Sequence, residues 1–314
     1  MPLSSQAKAL LDMVYRVGAP RFHELSVDQA RHSFRKLQWA WGLPSPAVAT
    51  TAEVAMTRAD GSTLNARLYR PLESAEDDEL PLLIYFHGGG WCVGDLESYD
   101  VLCRQLANGS GCAVLSIDYR LAPENPFPAA VEDAIFSIEW AAEQAQLLGI
   151  DRECIALGGD SAGGNLSIVG ALLAHERASV AIRFMFLVYP STEIASERPS
   201  RQLFSQGYLL DRESLEWFYG HYLPAGDDED WRASPMRAPS LAGLPPILLV
   251  TAECDPLADD CRAFAERVRA EGGEIEHVAV DGVVHGFITL GQFFPQATHA
   301  VDRITAGLRQ AVRA

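Results

Sequence analysis

Grouped positive charge is the first thing this chain lacks: 25 Lys and Arg stand against 42 Asp and Glu, a formal net charge of −17. Nucleic acids and anionic membrane surfaces both need clustered Lys and Arg, so neither is an expected partner. The acid is partly local, in Glu73-Ser74-Ala75-Glu76-Asp77-Asp78-Glu79 and in Asp227-Asp228-Glu229-Asp230, runs that read as solvated loops. No apolar run approaches the roughly 20 residues a membrane span needs. Met1 to Leu11 shows no basic region followed by an apolar core, so no secretory leader is expected. The six cysteines form neither a C-x-x-C pair nor a metal-ligand spacing, and read as reduced thiols of a cytoplasmic protein. Internal repeats and low-complexity linkers are also missing. What remains is an ordinary globular composition, 314 residues with 48% hydrophobic and 21% charged. That is enough chain for one large domain with a full core. The oligomeric state is left open, a homodimer being compatible with all of this.

Along the chain, two amphipathic helices are expected first, over Ala7 to Val17 and Val27 to Trp41, ended by Pro44 and Pro46. Alternation over Thr51 to Met56 and Thr63 to Arg70, around Asp60-Gly61, predicts an antiparallel hairpin at a sheet edge. Then the pattern becomes β–α. Apolar strands are expected at Leu82–Phe86, Ala113–Ile117, Cys154–Leu157, Phe184–Val188, Ile247–Ala252 and Ile275–Val280. Helices are expected over Tyr99–Ala107, Ala129–Gln146, Ala162–His175, Pro256–Glu271 and Ala297–Val312. Strands apolar throughout and separated by helices imply a mainly parallel sheet covered on both faces. Roughly 58 residues separate Val188 from Ile247, far beyond a usual connection. Residues 191–235 therefore read as an insertion, with a helix capped by Asp211. Together with residues 1–45 it is expected to cap a catalytic domain made of 46–190 and 236–314.

Chemistry concentrates at Gly159-Asp160-Ser161-Ala162-Gly163, a G-x-S-x-G between an apolar strand and a helical pattern. Glycines two positions either side of a serine allow a sharp strand-to-helix turn that exposes its Oγ. The plainer reading of Ser161 is a helix N-cap. A hydroxyl needs a base to take its proton, and the base needs an acid to hold its tautomer. In an α/β-hydrolase arrangement these partners follow the serine as acid, then histidine, each just past a strand end. Of eight histidines, His285 alone has that order and position. For the acid, Asp255 before Pro256 reads equally well as the cap of the next helix, with Glu253 and Asp259 as rivals. Directly after the strand Leu82–Phe86 comes His87-Gly88-Gly89-Gly90-Trp91. Three glycines let backbone N–H groups approach a ligand, and with the N–H of Ala162 they suit the negative oxygen of a tetrahedral intermediate. His87 itself is expected to brace the loop, and Asp118 to Glu124 to form a stiff scaffold turn.

His87-Gly88-Gly89-Gly90, Asp118-Tyr119-Arg120-Leu121-Ala122-Pro123-Glu124, Gly159-Asp160-Ser161-Ala162-Gly163-Gly164 and Asp255-Pro256-Leu257 together resemble the bacterial hormone-sensitive-lipase-like esterases, the family IV carboxylesterases. The similarity runs from about residue 50 to 314. It implies an α/β-hydrolase fold with a helical cap and a triad of Ser161, Asp255 and His285. It implies an oxyanion hole from the backbone of Gly88, Gly89 and Gly90, Gly89 foremost, with Ala162. It further implies a small-molecule ester of short to medium acyl chain as substrate and no metal or organic cofactor. It also favours Asp255 over its rivals. An amidase, formamidase or lactonase would share these residues. A non-catalytic receptor for a small molecule would be expected to lack one member of the triad.

Overall fold

The alternation around Asp60-Gly61 folds into an antiparallel hairpin of β1 (Thr50–Thr57) and β2 (Thr63–Arg70), with Met56 opposite Leu64. In this computed structural model, residues 3–75, 77–224 and 227–312 are described; Glu76 of the first acidic run lies outside them. The hairpin is one edge of an eight-stranded sheet completed by β3 (Leu80–Phe86), β4 (Ala113–Asp118), β5 (Ile150–Asp160), β6 (Ile182–Val188), β7 (Ile247–Cys254) and β8 (Ile275–Val284). The strand order is β1-β2-β4-β3-β5-β6-β7-β8. β2 runs antiparallel to β4, and every later pairing is parallel.

The helices in chain order are α1 (Ser5–Arg16), α2 (Val27–Trp41), α3 (Asp100–Ser110), α4 (Ala129–Glu143), α5 (Ala145–Leu148), α6 (Ala162–Arg177), α7 (Pro199–Leu203), α8 (Arg212–Tyr222), α9 (Ala258–Ala270) and α10 (Pro295–Ala311). Side chains alternate along each strand, and the two sets bury against different helices. Leu82, Ile84, Phe86, Leu115 and Leu249 face α4, α6 and α9. Leu83, Tyr85, Val114, Phe186 and Val250 face α3 and α10. This is why the strands read as apolar throughout. Among the described residues no helix is long and apolar enough to cross a membrane.

Several boundaries differ from expectation, each for a local reason. The helix expected over Ala129–Gln146 splits into α4 and α5, and Gly149 at φ +63° closes the second. α9 starts at Ala258 rather than Pro256, because Asp255 Oδ1 accepts the Leu257 N–H at 2.8 Å and holds a turn there. β8 runs on to Val284 through Asp281-Gly282. The Gly282 N–H finds an acceptor in Glu253 Oε2 at 2.7 Å, and Val284 pairs with Cys254. α7 was not anticipated; it is a single short helix begun by Pro199.

α3 carries the chain from β3 to β4 on one face, and α4 carries it from β4 to β5 on the other. The order therefore reverses between the neighbouring strands β3 and β5. Outside their C-terminal ends the two connections diverge and leave a crevice. The glycine loop follows β3 and Ser161 follows β5, so both motifs open onto it.

Candidate active site

β5 ends at Asp160 and α6 begins at Ala162, leaving Ser161 as a one-residue corner at φ +53°, ψ −117°. L-residues rarely adopt this conformation, and here the surroundings enforce it. A Cβ on Gly163 would overlap the Phe86 carbonyl oxygen, and one on Gly159 would overlap the Gly163 backbone. Only hydrogen fits at either position, so strand, corner and helix can close on one another. Ser161 stands where an N-cap would, yet its side chain makes no capping hydrogen bond. Its Oγ lies 3.0 Å from His285 Nε2 instead.

His285 is the first residue past β8, and its Nδ1 lies 2.7 Å from Asp255 Oδ2. A carboxylate accepting there keeps the ring proton on Nδ1, so Nε2 faces the hydroxyl as an acceptor. Asp255 follows β7 and is fully buried. It fills both roles that the sequence left open: one oxygen holds the imidazole, the other the turn before α9. The rival acids are occupied elsewhere. Glu253 serves Gly282, while Asp259 accepts the Ser200 N–H and pairs with Arg262. The ring of Tyr189, just past β6, packs 4.4 Å from that of His285. No sequence signal marked it.

The glycine loop divides its donors. The Gly88 N–H is donated to Asp160 Oδ1 at 2.8 Å, so Gly88 drops out of the expected oxyanion set. The N–H groups of Gly89, Gly90 and Ala162 have no acceptor among the described residues. Gly89 at φ +119° and Gly90 at φ +57° need the freedom of glycine to turn their backbone this way. Asp160 also accepts from the Tyr85 hydroxyl at 2.7 Å and the Tyr99 hydroxyl at 3.0 Å. Burial pushes its carboxyl above the usual range, while these three donors pull it back. His87 braces the loop, its Nδ1 2.8 Å from the Gly88 carbonyl and its ring stacked on Tyr119 at 4.3 Å. Burial lowers its pKa to about 4. The Tyr119 hydroxyl donates to the His87 carbonyl at 2.8 Å, so the Asp118 to Glu124 turn supports the loop from behind.

A family model described as alpha/beta hydrolase fold matches residues 83–289. The chain belongs to this family, in its hormone-sensitive-lipase-like branch. The ethyl acetate hydrolase of Pseudomonas putida is 37% identical over 290 residues, covering 92% of this chain and 91% of its own. The carboxylesterase NlhH of Mycobacterium tuberculosis is 39% identical over 260 residues, 81% of each chain. Among solved structures, an ester hydrolase from the metagenome of Lake Arreo superposes with a TM-score of 0.95 at 37% identity, covering 99% of this chain and 100% of that one.

In this hydrolase Ser161 and His285 sit at the floor of a cavity enclosing about 880 Å³, part of it open to solvent. Its upper walls come from the two segments outside the β–α pattern. Phe22, Phe34 and Leu37 belong to the N-terminal one; Leu209, Leu215 and Phe218 belong to the inserted one. The segments touch each other through Phe22 and Phe218, ring centroids 5.0 Å apart. They are tied down by single side chains. Asn165 Nδ2 donates to the carbonyls of Ser191 and Ala233, near the two ends of the insertion, at 2.8 and 2.9 Å. Arg31 on α2 donates to the carbonyls of Cys92 and Ala122 at 2.9 and 3.0 Å and pairs with Glu124. Of the aromatics in these segments, Phe22, Phe34, Phe218 and Tyr219 reach the cavity. Tyr222 instead stacks on Trp91 at 4.2 Å, and Trp39 lies exposed.

Proposed function

We propose that this hydrolase cleaves carboxylic esters of short to medium acyl chain through an acyl-enzyme on Ser161. One observation carries the proposal: Ser161 Oγ, His285 and Asp255 form an unbroken hydrogen-bonded line of 3.0 and 2.7 Å. His285 Nε2 takes the hydroxyl proton as Oγ bonds to the ester carbonyl carbon. The carbonyl oxygen becomes an anion and accepts from the N–H groups of Gly89, Gly90 and Ala162. Losing one such donor costs about 2.7–4 kcal/mol of barrier. His285 then gives its proton to the ester oxygen as the C–O bond breaks and the alcohol leaves. Water repeats the cycle on the acyl-enzyme, releasing the acid and restoring Ser161. Asp255 keeps the imidazole oriented throughout and stabilises its charged form.

The relatives named as esterases support the ester class. The apolar walls of the cavity support acyl chains of modest length, which such a space encloses. The segments before residue 46 and at 191–235 act in this proposal as a cap that shields the acyl-enzyme from bulk water. A cytoplasmic location belongs to the same reading, supported by six unpaired cysteines, five of them buried. The test is turnover of p-nitrophenyl butyrate beside a matched anilide and a lactone. The ester should be the fastest of the three, and Ser161→Ala should abolish its turnover with the circular dichroism spectrum unchanged. Faster cleavage of the anilide, or substantial activity in Ser161→Ala, would contradict the proposal.

A further inference from the structure

Gln38 lies on α2 with 8% of its surface exposed, yet its carboxamide makes no hydrogen bond among the described residues. Its neighbours on the cavity wall, Phe34, Leu37 and Leu290, are apolar. Thr289 also stands there, but its hydroxyl donates to the Gly286 carbonyl at 3.2 Å. Gln38 is thus a free donor and acceptor in a wall that otherwise offers little of either. The carboxamide atoms keep solvent contact in the free protein, so a substrate that covers them must replace their water with a polar group or leave them unpaired.

The position of Gln38 says which half of a substrate it meets. His285 must hand its proton to the departing alcohol, so the alcohol leaves on the His285 side. That side is walled by Gly286, Thr289 and Leu290, which follow His285 in sequence. The last turn of α2 docks on the same segment: the Gln292 N–H donates to the Trp41 carbonyl at 3.2 Å and Gln292 Nε2 to the Gly42 carbonyl at 2.6 Å. Gln38 and Thr289 line both the catalytic cavity and a second one, of about 640 Å³, whose outer wall carries Trp39, 68% exposed. Gln38 therefore stands in the wall the two cavities share.

Building on the esterase reading above, we propose that Gln38 recognises a hydroxyl on the alcohol half of the substrate. The substrates so favoured are monoesters of small diols and triols over simple alkyl esters. A hydroxyl a few bonds from the ester oxygen makes one hydrogen bond there, accepting from Gln38 Nε2 or donating to Gln38 Oε1. An alkyl alcohol of the same length leaves the carboxamide dehydrated and unpaired.

The experiment compares butyl butanoate with 3-hydroxypropyl butanoate, in which a hydroxyl replaces the terminal methyl, by pH-stat titration of the released acid. Wild type, Gln38→Leu and Gln38→Met are assayed, with circular dichroism to establish that each variant folds. Both substitutions should lower the hydroxy-to-alkyl ratio of kcat/KM by about tenfold, the worth of roughly one hydrogen bond. The butyl ester should be hydrolysed as fast as before or faster. A ratio unchanged in both variants, or both esters slowed equally as a packing defect would slow them, overturns the inference. So does a selective loss on butyl 3-hydroxybutanoate, which carries its hydroxyl on the acyl half. Wild-type failure on every ester would instead overturn the esterase reading itself.

Discussion

The carboxylate of Asp160 accepts the N–H of Gly88 at 2.8 Å, across 72 residues of sequence. The residue before Ser161 thereby ties down the first glycine of the loop. The bond joins the strand end before Ser161 to the glycine loop directly beside the free N–H groups of Gly89 and Gly90. Two motifs that look independent in the sequence are joined by one buried carboxylate.

Asp160→Asn replaces one accepting oxygen by an N–H donor, so either Gly88 or one of the tyrosine hydroxyls loses its acceptor. Steady-state kinetics should show kcat lower by about 10²-fold, with KM within a few-fold, as expected for misplaced transition-state donors. A variant with wild-type kcat would mean that the loop holds its shape without the clamp.

Asp255→Asn should lower kcat by about 10⁴-fold, because an amide at that position no longer favours the productive tautomer of His285. Glu253→Gln should stay within a few-fold of wild type, since Glu253 faces Gly282 and not the imidazole. Kinetics of the two variants side by side decide between the acids. A crippled Glu253→Gln with an active Asp255→Asn would reverse the assignment.

His87 contributes a pH dependence of stability. Its pKa falls from the ordinary 6.5 to about 4 in the folded state because burial disfavours the charged ring. Between those values the unfolded chain binds a proton that the folded chain does not, so stability rises with pH across that window. The contribution is complete above about pH 6.5 and is lost as pH falls to about 4, amounting to about 3 kcal/mol. Urea unfolding at pH 7, 5.5 and 4.5 should show a shallower loss in His87→Asn than in wild type. Parallel losses in both would contradict this.

Much of the fold is legible in the sequence because parallel strands buried on both faces are apolar throughout and are separated by helices. Ser161 and His285 were marked by standing just past a strand end, in an order that few residues satisfy; position alone did not separate Asp255 from Glu253 and Asp259, and only the family resemblance favoured it. Polar stretches of strand were not legible. Asp151-Arg152-Glu153 lies inside β5, and Asp281-Gly282 inside β8, each at an irregularity of the ladder that paired residues on either side bracket: Ile150 and Ile155 in β5, Val280 and Val284 in β8. The cavity walls were legible only in part. Phe22 sits in a 3₁₀ turn and Leu209 in a loop, where no periodicity marks an inward face. Asp160 and the bond that removes Gly88 from the expected donor set arise from contacts between distant segments, which no spacing rule encodes.

The most direct test of the central claim is covalent capture of the nucleophile with a fluorophosphonate, followed by peptide mapping. One adduct per chain is expected, on Ser161, forming far more slowly in His285→Ala and absent in Ser161→Ala. An adduct on any other residue, or labelling that persists in Ser161→Ala, would contradict the account.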